Sequence, residues 1–351
     1  MSLGKKMESV MGNKLFVFCT ILVLLASCTH ANRDVIEESE VVPVQLKETG
    51  MSNELLPDLM AFQDSSLVVI NRESSPVFYI HDRESFAFKG NFGTAGQGPK
   101  DFLFPFFLSE GESGNIHTYD LATGRISEID LEKVMKGEED WCSSSALPAK
   151  VMGCSNLARL GDCYYGNIDN GPGLFFKYNA RDDSMKWITF PASLQKIEGD
   201  YTIGNMNRIA VNGKNKMIAS AMCYYNKIFI YDTEGNLIQE KNIGNEVIQP
   251  IIEEDGLSEE SLYFCSDIKC TDKYIYLMLQ QVTDGDSFLA HKGKESRILV
   301  LDWQLSPQAT YSLDVFGKKF FIDEQLHRIF VLALNEDGNV EIKQFQDNVA
   351  N

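Results

Sequence analysis

The chain has 351 residues, with 32 Lys and Arg against 50 Asp and Glu, a formal charge of −18, and 44% hydrophobic residues. That is globular composition and excludes wholesale disorder. The acidity excludes a nucleic-acid partner, which needs a clustered basic surface.

In chain order, Lys5, Lys6 and Lys14 precede an apolar run from Leu15 to Leu25 that ends in Leu25-Ala26-Ser27-Cys28. Basic residues, a short apolar run and small residues before a cut form the pattern of a secretory signal. The run falls short of the ~20 residues a membrane span needs. The Leu-Ala-Ser-Cys ending resembles a bacterial lipobox. That resemblance implies a signal over residues 1–27, acylation of Cys28, and attachment to a membrane through the N-terminal lipid rather than a helix. Losing Lys5, Lys6, Lys14 and Glu8 takes the charge from −18 to −20. Residues 28–40 carry Arg33, Asp34, Glu37, Glu38 and Glu40 and read as a tether, leaving 41–351 as one domain. Some surface-exposed lipoproteins place acidic residues directly after the lipidated Cys. Here Thr29-His30-Ala31-Asn32 intervenes, so the expected place is the cell envelope, facing the periplasm.

From residue 41 onward, apolar and β-branched runs of strand length end in Gly, Asn or Asp, as in Ser66–Ile70, Lys227–Tyr231, Lys273–Leu277 and Arg328–Leu332. Glu234-Gly235-Asn236, Asp284-Gly285-Asp286 and Asp337-Gly338-Asn339 read as hairpin turns. Helical periodicity is confined to Leu131–Asp140 and Gln249–Ser261, with a turn at Ala192–Glu198. A strand ending in an aromatic or aliphatic residue plus Asp or Asn recurs at Asp82, Asp120, Asn179, Asp232 and Asp302, at steps of 38, 59, 53 and 70 residues. This cadence predicts an all-β fold of six sheets with loop insertions. The last unit, Phe320–Phe345, is one strand short, and Val41–Leu46 is expected to supply it. Pro43 is tolerable there because an outer strand is an edge.

Between the first two units lies Phe92-Gly93-Thr94-Ala95-Gly96-Gln97-Gly98-Pro99-Lys100-Asp101-Phe102-Leu103-Phe104-Pro105, followed by Gly114–Asp120. Spaced glycines, a Phe, a Pro and a later strand ending in Asp resemble the NHL-type propeller repeat. The whole is similar to the six-bladed, TolB-like β-propeller lipoproteins of Bacteroidetes-type Gram-negative bacteria. The resemblance implies a six-bladed β-propeller with its last blade closed by an N-terminal strand. It also implies structural roles for Gly93, Gly96, Gly98, Pro99, Phe102 and Pro105. A phosphate-binding loop is excluded, since Pro99 and Asp101 stand where Lys and Ser or Thr would be required and Pro105 prevents a following helix.

Besides Cys28, six cysteines follow the signal: Cys142, Cys154, Cys163, Cys223, Cys265 and Cys270. They permit up to three disulfides, but a core of this size needs no staples, so mostly free, small buried thiols are expected. No Cys-x-x-Cys, His-Glu-x-x-His or Gly-x-Ser-x-Gly occurs, and the five His form no pair. Tyr164-Tyr165 and Tyr224-Tyr225 read as strand core and rim.

Propellers place ligands at the axis, where the first strand of each blade lies. The expected inner strands include Asn156–Leu160, Asn207–Val211 and Phe264–Ile268, which make Asn156, Asn207, Arg208 and Asp267 the channel-lining candidates. Metal-dependent propeller lactonases gather Glu, Asn and Asp around one cation, and here no matching Glu is evident. The expected function is therefore a ligand- or protein-binding module, a monomer without a cofactor that meets a protein partner in the envelope. The alternative is a hydrolase or lactonase using Ca²⁺ or another divalent cation in the channel.

Overall fold

The structure is a computed structural model describing residues 35–349, except for 38, 52–58, 111–114, 155, 169–170, 195–196, 198–201, 255, 290–294 and 335–338. The signal, Cys28 and the tether through residue 34 lie outside the described residues.

Strands such as Lys227–Asp232 and Ser296–Asp302 bury almost every residue on both faces, so their sequences are continuously apolar rather than alternating. They are middle strands of sheets packed on both sides by other sheets. Six antiparallel meanders account for the chain. Blade one is Leu59–Gln63, Ser66–Ile70, Phe78–Asp82 and Phe88–Phe92. Blade two is Pro105–Phe107, Ile116–Asp120, Arg125–Ile129 and Cys142–Ala146, and blade three is Asn156–Leu160, Cys163–Asn167, Phe175–Asn179 and Ser184–Ile188. Blade four is Asn207–Asn212, Met217–Met222, Lys227–Asp232 and Leu237–Ile243. Blade five is Leu262–Cys270, Tyr274–Thr283, Ser296–Asp302 and Pro307–Leu313, and blade six is Phe316–Asp323, Arg328–Leu334, Val340–Gln346 and Lys47–Glu48. The first strand of each blade touches the first strand of the next, blade two reaching blade three through Ser109–Glu110, and blade six returns to blade one. The chain is a six-bladed β-propeller.

The last blade is closed by an N-terminal strand, but by Lys47–Glu48, which pairs antiparallel with Lys343 and Gln344. Val41–Pro43, the expected closing segment, instead runs parallel to Thr310–Ser312 on the outer edge of blade five. Val35–Ile36 adds in the same way to blade four. Residues 35–48 therefore cross the outer edges of three successive blades.

The predicted helix at Leu131–Asp140 forms as Leu131–Lys136, started by the Asp130 carboxylate accepting from Lys133 N at 3.1 Å and stopped by Gly137 in the left-handed region. Gln249–Ser261 is not a helix. Ile252–Glu253 and Gly256–Leu257 pair as a small hairpin, and the Ser261 hydroxyl accepts from Ile251 N across it. Asp284-Gly285-Asp286 is not a hairpin turn but opens the short helix Asp284–Leu289, with Thr283 Oγ1 accepting from Asp286 N.

The strand-ending Asp is a hairpin residue. Asp82, Asn179, Asp232 and Asp302 each end a third strand, and each side chain accepts backbone N–H groups of the turn that follows. Asp120 belongs to another position, the end of a second strand. The matching residue of blade two is Asp130, and that of blade six is Asp347. The repeat is then 82, 130, 179, 232, 302 and 347, with steps of 48, 49, 53, 70 and 45. The one long step holds the helix Asp284–Leu289.

The ring closes between blades six and one around Asp323, which is wholly buried. Its Oδ1 meets Arg83 Nη2 of blade one at 2.5 Å, and its Oδ2 meets Arg328 Nη2 of blade six at 3.1 Å. Arg328 also donates to the Arg83 carbonyl at 2.6 Å. Asp323→Ala leaves two buried guanidinium groups without their shared anion. It should cost about 3–5 kcal/mol, read by urea denaturation, with Lys133→Ala at an exposed pair changing little.

Behind the blade-one hairpin, burial pulls the His81 imidazole below its ordinary 6.5, partly opposed by the Phe86 carbonyl 3.0 Å from Nδ1. Above pH 6.5 the ring is neutral folded or unfolded. As pH falls below that value, only the unfolded chain takes the proton, so this contribution to stability is lost downward in pH. His81→Phe should flatten the stability profile below pH 6.5, measured as denaturation midpoint against pH.

Candidate functional site

The six inner strands run parallel around the axis, so all begin at one face of the ring. The described residues 202–206 and 256–261, which lead into the inner strands of blades four and five, and the short helix Asp284–Leu289 lie at that face, which we call the entry face. The strands enclose a cavity of about 1110 Å³, lined by residues from every blade. It exceeds the ~300–1,000 Å³ usual for small-molecule sites.

Three of the four channel candidates meet in this cavity. Asn156 lines it while its Nδ2 donates to the Ile209 carbonyl at 2.6 Å, tying blade three to blade four. Arg208 lines it near the entry face and donates to the Asn207 carbonyl at 3.2 Å. Asp267 lines it at 9% exposure, its Oδ1 accepting from Lys269 Nζ at 2.8 Å and from Ile268 N at 2.9 Å. Asn207 does not line it. Its buried amide donates to Ser220 Oγ at 2.8 Å within blade four. Asn207 and Arg208 are neighbours in a strand without a register shift, so their side chains take opposite faces and only one reaches the channel.

Strand periodicity did not reveal the other polar residues of the wall. Tyr224 donates its hydroxyl to Asp284 Oδ1 at 2.6 Å, and its ring lies 5.4 Å from that of Tyr263. Burial pushes both phenols well above their ordinary value, and in Tyr224 the Asp284 carboxylate adds to the effect. Both therefore stay protonated donors at neutral pH. Lys318 and Lys319 reach the cavity from blade six. The doublet Tyr224-Tyr225 and the Asp at 284 were visible signals, but a separation of 60 positions hid their meeting.

Among the described residues, no three His, Cys, Asp or Glu side chains gather to hold a metal ion. Of the residues offered for a propeller cation, Asn207 is turned away from the cavity and Asp267 is paired with Lys269. Cys142, Cys154, Cys163, Cys223, Cys265 and Cys270 are free thiols. Burial holds the Cys265 thiol well above its ordinary value, so it is protonated and unreactive.

The glycine-rich segment lies away from the cavity and straps blade one to blade two. Gly93 has φ +73°, and a Cβ there would lie 2.9 Å from Phe78 and 3.1 Å from Phe102. Phe102 packs edge-on against Phe78 at 4.8 Å. Gly96 and Gly98 crowd the Asp101 carboxylate, which accepts from Gly98 N at 2.7 Å and from Thr94 Oγ1. Pro99 sits in the tight turn ahead of Asp101, and the Pro105 carbonyl accepts from Arg72 Nη2 at 2.8 Å.

No family model and no curated protein matches the chain. Among solved structures it resembles a DUF4221 family member from Bacteroides vulgatus, at 14% identity over 87% of this chain and 97% of that one, with a TM-score of 0.59. It also resembles a Bacteroides fragilis protein named as exported, at 14% identity over 89% and 98%, TM-score 0.52. A third is a streptogramin B lyase, at 11% identity over 86% and 97%, TM-score 0.50. At these identities the likeness is one of fold. No helix among the described residues is long and apolar enough to cross a membrane.

The strap hangs on Asp120. Its Oδ2 accepts from Leu103 N and Phe104 N at 2.7 and 3.0 Å, and its Oδ1 from Ala122 N and Thr123 N at 3.0 and 2.9 Å. Asp120→Ala should cost about 3 kcal/mol or more, since four donors lose a buried charged acceptor. Denaturant unfolding measures the loss.

Proposed function

We propose that the protein is an exported, lipid-anchored β-propeller that binds a ligand in its central cavity. The observation that carries this reading is the cavity itself, lined by Arg208, Asp267 and Tyr224 in hydrogen-bonded positions and by Tyr263, whose ring lies against that of Tyr224. Polar groups already held in place bind without a large ordering cost. A fold shared with a lyase does not confer its chemistry. Anchoring through Cys28 rests on the lipobox resemblance, a periplasm-facing position on the Thr29-His30-Ala31-Asn32 stretch that separates Cys28 from the acidic residues, and likeness to a protein named as exported supports export.

A hydrolase using a divalent cation is the competing reading, and the donor set described above speaks against it. A thermal-shift screen decides. A ligand present at a hundredfold excess over its dissociation constant stabilises by about 2.7 kcal/mol, and Arg208→Ala should abolish that shift. Stoichiometric metal in chelator-free protein, lost in Asp267→Ala, would overturn the binding reading in favour of the enzyme.

A further inference from the structure

Apolar side chains exposed singly are ordinary, whereas a group of them on one surface marks a site of interaction. Among the described residues, four of the thirteen exposed large hydrophobic side chains fall in two touching segments of the entry face: Ile203 at 45% exposure, Val247 at 81%, Ile251 at 46% and Ile252 at 38%. The segments meet where a Cβ on Gly204 would lie 3.3 Å from Pro250 Cβ. Both are pinned from beneath. Asn226, buried in the hairpin between the second and third strands of blade four, donates from Nδ2 to the Glu246 carbonyl at 2.7 Å. Its Oδ1 accepts from Ile248 N at 3.0 Å, so it grips the chain on either side of Val247. The wholly buried Ser261 hydroxyl accepts from Ile251 N at 2.9 Å and donates to the Ile251 carbonyl at 3.1 Å. Ile252 pairs with Leu257 in the small hairpin. Buried polar groups thus hold aliphatic side chains out in water, and a surface fixed in advance meets a partner at little ordering cost.

The charge around these residues has one sign. The described residues 202–206, 244–254 and 256–261 include five exposed glutamates, Glu246, Glu253, Glu254, Glu259 and Glu260, and no Lys or Arg. Over the whole chain 32 basic residues accompany 50 acidic ones, so five acids with none is a local excess. Arg208, the basic residue that follows 206, lines the cavity instead. This pairing of aliphatic and acidic groups selects among occupants. A bilayer with anionic headgroups is repelled by the glutamates. A second copy offering the same patch sets five more glutamates against these five. A protein segment that carries aliphatic side chains among Lys and Arg complements both features.

We propose that this rim of blades four and five is a docking surface for a partner protein, which lays a basic amphipathic segment across Ile203, Val247, Ile251 and Ile252. Ile203 also lines the cavity, so the docked segment borders its mouth. The proposal does not depend on what the cavity binds.

The test is fluorescence anisotropy of a dye-labelled amphipathic helical peptide of Leu and Lys, titrated with the protein, beside the same peptide with Glu in place of Lys. The expected result is saturable binding of the Leu-Lys peptide alone. Val247→Ser with Ile251→Ser should weaken it about tenfold or more. Leu237→Ser with Ile238→Ser, exposed at the far end of the outer strand of blade four, should leave it unchanged. All four side chains are exposed, so both variants should keep the parent melting temperature. Glu246→Gln with Glu253→Gln should flatten the salt dependence of binding. Absence of saturable binding, or equal weakening in the two serine variants, overturns the proposal. So does flotation with phosphatidylethanolamine–phosphatidylglycerol vesicles, or self-association in sedimentation, that Val247→Ser with Ile251→Ser abolishes, since the rim would then belong to a membrane or to a second copy.

Discussion

A buried carboxylate between two arginines holds this molecule in its functional form. A propeller is a ring with one cut, and here the cut faces are blades six and one. Asp323 ends the inner strand of blade six and is shared by Arg83, in the hairpin after the third strand of blade one, and by Arg328 of blade six. A largely buried ion triad is weak evidence of net stability, because each ion also loses hydration. Its worth here is geometric. The carboxylate is shared by arginines of two blades, so meeting both holds blades six and one against each other.

Much of the ring was legible before any coordinates. Strand-length apolar runs bounded by turn residues marked the blades, and the shortage in the last unit pointed to an N-terminal strand. The identity of that strand was not legible. Val41-Val42-Pro43 has the greater β propensity, but chain geometry delivers the short, charged Lys47–Glu48 to blade six. Propensity favours strand formation without specifying the partner. The Asp cadence was similarly half-readable. Tyr119-Asp120 mimics the others in sequence while occupying a different corner of its blade, and the true member, Ile129-Asp130, was masked by the helix it caps.

The site was less legible than the fold, for a reason visible at two places. Period two makes adjacent residues alternatives, so Asn207 and Arg208 could not both face the axis, and sequence carries no mark of the parity. Where the period fails, at Gly317–Lys319, the bulge is held by hydrogen bonds from Ser296 and Gln280, 21 and 37 positions away. The loudest motif, Gly93 to Pro105, turned out to be a strap. Glycines announce themselves wherever backbone must pass close to other atoms, and here those atoms are Phe78, Phe102 and Asp101 rather than a ligand.

The segment 35–48 belongs to the beginning of the described chain but packs only on its second half. Lys47 pairs with Gln344 across 297 residues, and Val35 with Asn242 across 207. Contacts of such sequence separation carry the highest closure entropy and form late. A chain delivered N-terminus first would therefore present these strands long before their partners emerged. The segment 35–48 is therefore fastened to blades four, five and six only once those blades have been made.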